Sequence, residues 1–131
     1  MFAAITRNIP LIECETSFGE WRYPDRPQTP YVEERDVVDQ VLEEIFLFVE
    51  KHPVYRLPRD YAERLKSNGI SWSDAAMRNA DVSEADEQCI LALFIGIARA
   101  ERFCDGTVVR FFNNGCALRW LKRLKEIDEA E

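Results

Sequence analysis

The sequence predicts a single, mainly α-helical domain: a bundle of four to five helices preceded by an irregular N-terminal arm. Three observations carry this. Apolar residues recur at the spacing of one helical face in the stretches 32–51, 84–104 and 116–127. Helix-stopping residues close the helical stretches, namely Pro53, Gly69, Gly106 and the triplet Asn113-Asn114-Gly115. The 131 residues, 47% apolar and 31% charged, have the composition of one globular domain large enough to bury a core.

Residues 1–31 read as an irregular arm packed on the core of a helical domain that spans 32–128. Pro10, Pro24, Pro27 and Pro30 each remove a backbone donor and disfavour helix before them. Phe2, Ile5, Ile9, Leu11 and Ile12 supply apolar anchors. Phe18-Gly19-Glu20-Trp21, with Tyr23, reads as a short extended piece or turn that docks two aromatics on the core.

The stretch 32–51 predicts a first long helix, with Val37, Val38, Val41, Leu42, Ile45, Phe46 and Val49 facing inward. A shorter helix is expected over 58–68, with Pro58 in its first turn and Gly69 after its last. Ser71-Trp72-Ser73-Asp74 then leads into a helical turn through Met77. The most apolar stretch, 84–104, predicts the central helix. Ser83 is its expected N-cap, and Asp86 closes a capping box. Two helices finish the chain, over 107–113 and 116–127, ahead of a frayed acidic tail over 126–131. Phe46, Phe94, Phe103 and Phe112 are expected in the core.

Charge is unevenly distributed. The net charge is -7. Between Glu33 and Glu50 lie seven acids (Glu33, Glu34, Asp36, Asp39, Glu43, Glu44, Glu50) and one base, Arg35. Between Gly106 and Lys125 lie five bases (Arg110, Arg119, Lys122, Arg123, Lys125) and no acid. An acidic chain makes a poor general binder of nucleic acid, because phosphate contacts need clustered Lys and Arg. No apolar run reaches the roughly 18 residues of a membrane span, and no basic segment or small-x-small cleavage pattern marks a secretory leader. The expectation is a cytoplasmic protein.

Chemistry-bearing motifs are sparse. There is no nucleophile elbow, P-loop, dinucleotide fingerprint, HExxH or EF-hand loop, so no cofactor and no metal are expected. The four cysteines (Cys14, Cys89, Cys104, Cys116) form no C-x-x-C pair and read as buried thiols. His52, the one histidine, sits at a helix end. Charge complementation of the helix dipole explains it more economically than general-base catalysis. Trp21, Trp72 and Trp120, with Tyr23 and Tyr31, are either core aromatics or an interface.

Arg99-Ala100-Glu101-Arg102-Phe103-Cys104-Asp105-Gly106, at the end of the central helix, packs four charges around one aromatic. Glu101 and Asp105 share a helical face. They read either as a paired-acid or metal site with Arg102, or as carboxylates pairing with Arg99 and Arg102 to brace the next helix.

Several of these stretches together resemble a family of small bacterial proteins designated domain of unknown function number 6508. The resemblance rests on Phe18-Gly19-Glu20-Trp21, Pro30-Tyr31, the segment from Arg99 to Gly106, and Asn114-Gly115 before the Leu-rich basic helix. An aromatic-Asp-Trp element of that family near 56–62 is replaced here by Arg56-Leu57-Pro58-Arg59-Asp60-Tyr61. The resemblance implies a helical fold and no assigned activity.

The functional expectation is a small, acidic, non-catalytic interaction protein. It would use Glu33, Glu34, Asp36, Asp39, Glu43 and Glu44 to bind a protein with a basic surface. One version is a phage-type inhibitor that mimics nucleic-acid charge on a host nuclease or defence complex. A homodimer stays open as an assembly. The alternatives are an enzyme or metal-dependent site on Glu101, Asp105 and Arg102, and a weak nucleic-acid binder through the basic C-terminal helix.

Overall fold

A computed structural model of the protein describes residues 1–22, 31–34, 36–57 and 59–130, with 21–22 and 31–34 described through their backbone. In chain order the elements are α1 (Ala3–Thr6), α2 (Ile9–Glu13), β1 (Gly19–Arg22), β2 (Tyr31–Glu34), α3 (Asp36–Lys51), a 3-10 turn (Pro53–Tyr55), α4 (Tyr61–Ser67), α5 (Asp74–Arg78), α6 (Glu87–Ala100), α7 (Thr107–Asn113) and α8 (Cys116–Ala130). The fold is mainly helical, as expected, with more helical segments than four to five.

Every residue from Cys89 to Ile97 on α6 is buried. A helix that is apolar all round must be covered all round, and α3, α4, α7 and α8 all pack against it. Its N-cap is Asp86, whose carboxylate accepts from the Cys89 N–H at 2.8 Å. Ser83 donates instead to Asp81, so the helix starts later than expected. It also ends earlier, at Ala100.

Gly96 lets α6 meet its neighbours closely. A Cβ there would sit 3.0 Å from Met77 Sδ and 3.4 Å from Trp72 Cδ1. The Trp72 indole N–H donates to the Gly96 carbonyl at 3.0 Å. On another side of α6, Trp120 of α8 is fully buried. Its ring meets Phe94 edge-on at 5.1 Å and Phe111 at 5.6 Å.

The described part of the arm carries two short helices and a strand where an irregular stretch was expected. Phe2, Ile5, Ile9 and Ile12 are buried, and α1 and α2 lie against α8. Leu11, an expected anchor, is 53% exposed. The Phe2 N–H donates to Asp128 Oδ2 at 2.8 Å, fastening the start of the chain to α8. That helix continues to Ala130, so the expected frayed tail is helical through that residue. β1 and β2 pair antiparallel, with Gly19 opposite Glu34 and Arg22 opposite Tyr31. Phe18 docks just before β1: its N–H donates to Asn113 Oδ1 at 2.8 Å, and its ring lies 5.6 Å from Phe112.

The first long helix begins at Asp36 rather than at 32, since Tyr31–Glu34 form a strand. Tyr23, Pro24, Pro27, Pro30, Arg35 and Pro58 lie outside the described residues, as do the side chains of Trp21, Tyr31, Glu33 and Glu34. Phe94 and Phe112 are in the core, and Phe46 packs on it half-buried. Phe103 is a correction: it is 82% exposed. Cys89 and Cys116 are buried as expected, whereas Cys14 and Cys104 are exposed. Among the described residues, no helix is long and apolar enough to cross a membrane.

Gly96→Val drives two extra methyls toward Met77 and Trp72 and should cost about 1–3 kcal/mol, the usual cost of overpacking, measured by urea denaturation. An unchanged midpoint would contradict the close approach. Burial, then the charge of Asp86, pushes the Cys89 thiol up from 9.0 to about 11. The folded state therefore keeps a proton that the unfolded chain loses. The resulting stability is full below about pH 9 and falls as pH rises toward about 11. At mildly alkaline pH, iodoacetamide should label Cys14 and Cys104 and spare Cys89 and Cys116, as read by mass spectrometry.

Candidate functional site

The segment from Arg99 to Gly106 is a corner between α6 and α7. Glu101 shapes it. One carboxylate oxygen accepts from the Gly106 N–H at 2.6 Å and the other from the Val108 N–H at 2.9 Å. These are orphan donors at the positive end of α7, so the carboxylate serves as that helix's cap. Gly106 has φ +90°, a left-handed conformation that side chains disfavour. The Thr107 hydroxyl closes the turn by donating to the Cys104 carbonyl at 2.6 Å.

Glu101 does brace the next helix, but through backbone N–H groups rather than through arginines. Among the described residues it makes no ion pair with Arg99 or Arg102. The Arg99 guanidinium instead lies over the Phe46 ring, 5.8 Å from its centroid. Arg102, Phe103 and Asp105 are exposed. Among the described residues, no group of three His, Cys, Asp or Glu side chains is placed to hold a metal ion.

The corner leaves an apolar groove of about 230 Å³ that sequence reasoning missed. Trp72, Met77, Phe103 and Cys104 line it, and the ion pair between Arg110 and Asp74 borders it. The bond to Asp74 raises the Arg110 pKa further above its ordinary value. Trp72 is 39% exposed, which leaves part of its ring on this groove.

The acidic stretch divides between two elements. Glu33 and Glu34 fall on β2, and Asp36, Asp39, Glu43 and Glu44 on α3. Asp36, Asp39, Glu43 and Glu50 are exposed and make no ion pair among the described residues. Glu44 reaches Arg7 at 3.4 Å. Leu47, 42% exposed, lies on the same face.

His52 is held at the end of α3. Its Nδ1 lies 2.8 Å from the Phe48 carbonyl, and its ring stacks on Phe48 at 4.0 Å. On α8, Arg119, Lys122 and Arg123 face a cleft formed with the loop after α5.

Glu101→Gln should weaken the α7 cap and lower stability by about 1–2 kcal/mol. Phe103→Ser should change stability by no more than about 0.5 kcal/mol, as for an exposed position. Chemical denaturation of both variants checks the pair. Equal losses would contradict this geometry of the corner.

No curated protein and no solved structure matches the chain. The model of one family, described as a family of unknown function (DUF6508), matches residues 2–130. That match spans nearly the whole chain and agrees with the resemblance carried by the Arg99–Gly106 corner, and the protein belongs to this family.

Proposed function

We propose that the protein is a non-catalytic interaction module whose α3 face docks a partner with a basic surface. One observation carries this reading. The outer face of α3 presents Asp36, Asp39, Glu43 and Glu50, none ion-paired among the described residues and outnumbering the helix's single cation, Lys51, around the exposed Leu47. Uncompensated like charges on one helix face repel each other and weaken it modestly. A cationic partner relieves that repulsion and is steered onto the face. Leu47 supplies the apolar contact that a charged rim alone lacks.

The narrower version, a nucleic-acid mimic acting on a host nuclease or defence complex, adds a requirement. The partner must handle nucleic acid, and duplex DNA must compete with this protein for it. The alternative site at Glu101, Asp105 and Arg102 has less support, because both Glu101 carboxylate oxygens are already committed to backbone N–H groups.

The test is affinity capture from host lysate beside the variant Asp39→Lys/Glu43→Lys, with thermal midpoints confirming that both are folded. The expected result is a basic protein held by the native chain. Its association rate should fall with added salt and by about tenfold or more in the variant. Capture of nothing, or of the same proteins by both chains, would contradict the reading.

A further inference from the structure

A second charged feature lies apart from the α3 face. The loop after α5 runs back along α8, and α8 fastens it at both ends. At one end, Arg119 Nη2 donates to the Arg78 carbonyl at 3.3 Å. At the other, Arg123 Nε donates to the Ala85 carbonyl at 2.8 Å. Between these two ties lies a cleft of about 580 Å³. Positions 119, 122, 123 and 126 fall within two turns of one helix and share the face that lines it.

The cleft concentrates positive charge in a chain whose net charge is -7. Four cations line it, Arg78, Arg119, Lys122 and Arg123, with two acids, Asp81 and Glu126. Both acids are engaged. Glu126 pairs with Arg123 at 3.2 Å. Asp81 accepts from the Ser83 N–H at 3.0 Å and from the Ser83 hydroxyl at 2.7 Å. Arg78 is paired with Asp74 at 2.6 Å.

Two charges remain unmatched. Among the described residues, and apart from Cys116 Sγ at 3.5 Å, Arg119 donates only to a backbone carbonyl. Lys122 has no acidic partner among the described residues. Cations one turn apart repel each other; Arg119 is held in place by a carbonyl without an acidic partner among the described residues, whereas Arg123 is held by a carbonyl and also paired with Glu126. Unneutralised cationic donors such as Arg119 and Lys122 on the wall of a cavity favour an anion.

We infer that the cleft between α8 and the loop after α5 binds a small phosphorylated metabolite through Arg119, Lys122 and Arg123. Its volume falls in the range of small-molecule sites, about 300–1,000 Å³. The lining contains no aromatic side chain on which a base would stack, and single-stranded nucleic acid relies on such platforms. The excess of acid elsewhere on the chain also opposes an extended polyanion more than a compact one.

The experiment is titration of the full chain with inorganic pyrophosphate, followed by amide chemical shifts and calorimetry. Inorganic phosphate and a single-stranded oligonucleotide run alongside. The expected result is saturable pyrophosphate binding with shifts confined to residues 78–85 and 119–126. Lys122→Gln and Arg119→Gln should each weaken it by about tenfold or more, the equivalent of one charge-assisted hydrogen bond. Lys125→Gln, outside the cleft, should leave it unchanged. Lys122→Gln breaks no hydrogen bond or ion pair among the described residues and decides the matter if Arg119→Gln fails to fold. Absence of saturable binding, equal weakening by Lys125→Gln, or tighter binding of the oligonucleotide would each overturn the proposal.

Discussion

The complete burial of α6 is the constraint on which the rest of this structure depends. A helix with nine consecutive buried residues, Cys89 to Ile97, cannot stand at a surface. Its neighbours must surround it, and their own amphipathic patterns follow from that duty. α3 turns Val37, Val38, Val41, Ile45 and Val49 inward, and α8 turns Trp120, Leu121 and Leu124 inward. Burying these side chains contributes on the order of 1.5–3 kcal/mol each before conformational entropy is subtracted. Gly96 sets how closely Met77 and Trp72 approach the hub, and Glu101 sets the direction in which the chain leaves it.

Once the inward faces are assigned to the hub, the outward ones are free to carry charge. The acids gather on α3, and the bases on α7 and the first turns of α8, at Arg110, Arg119, Lys122, Arg123 and Lys125. Apart from Arg119 and Arg123, which fasten the loop after α5, these charges lie outside the apolar core. Most of the α3 acids are exposed, and the ion pairs in the structure are largely at the surface, where each is worth at most about 1 kcal/mol. The charge separation is therefore a property of the surface rather than a device of the fold. For the same reason, the proposed partner face and Lys122 of the proposed anion cleft can be altered independently of folding, whereas Glu101 at the corner and the arginines that fasten the loop after α5 cannot.

Much of this was legible in the sequence, and the misses have definite causes. The period of α3, α6 and α8 and the stops at Pro53, Gly106 and Asn114-Gly115 were plain, because burial on one face leaves a pattern over many residues. Phe103 was misplaced because the apolar rhythm of α6 runs on past Ala100, while the carboxylate of Glu101 turns the chain into α7 and leaves the ring outside. Ser83 and Asp86 offered overlapping caps, and Asp81 takes the Ser83 hydroxyl. α1 and α2 span four and five residues, too few to show a period; they are held by tertiary burial of Phe2, Ile5, Ile9 and Ile12. The cleft was invisible because residues 78–83 and 119–126 meet only in three dimensions.

The central claim, that a fully enclosed α6 organises the molecule, is tested most directly by native-state hydrogen exchange. The amides from Ile90 to Ile97 should be the slowest in the chain, opening only with global unfolding, while those of α1, α2 and the Arg99–Gly106 corner exchange sooner through local openings. Exchange in α6 as fast as in those segments would contradict the claim and mean that the core is organised around some other element.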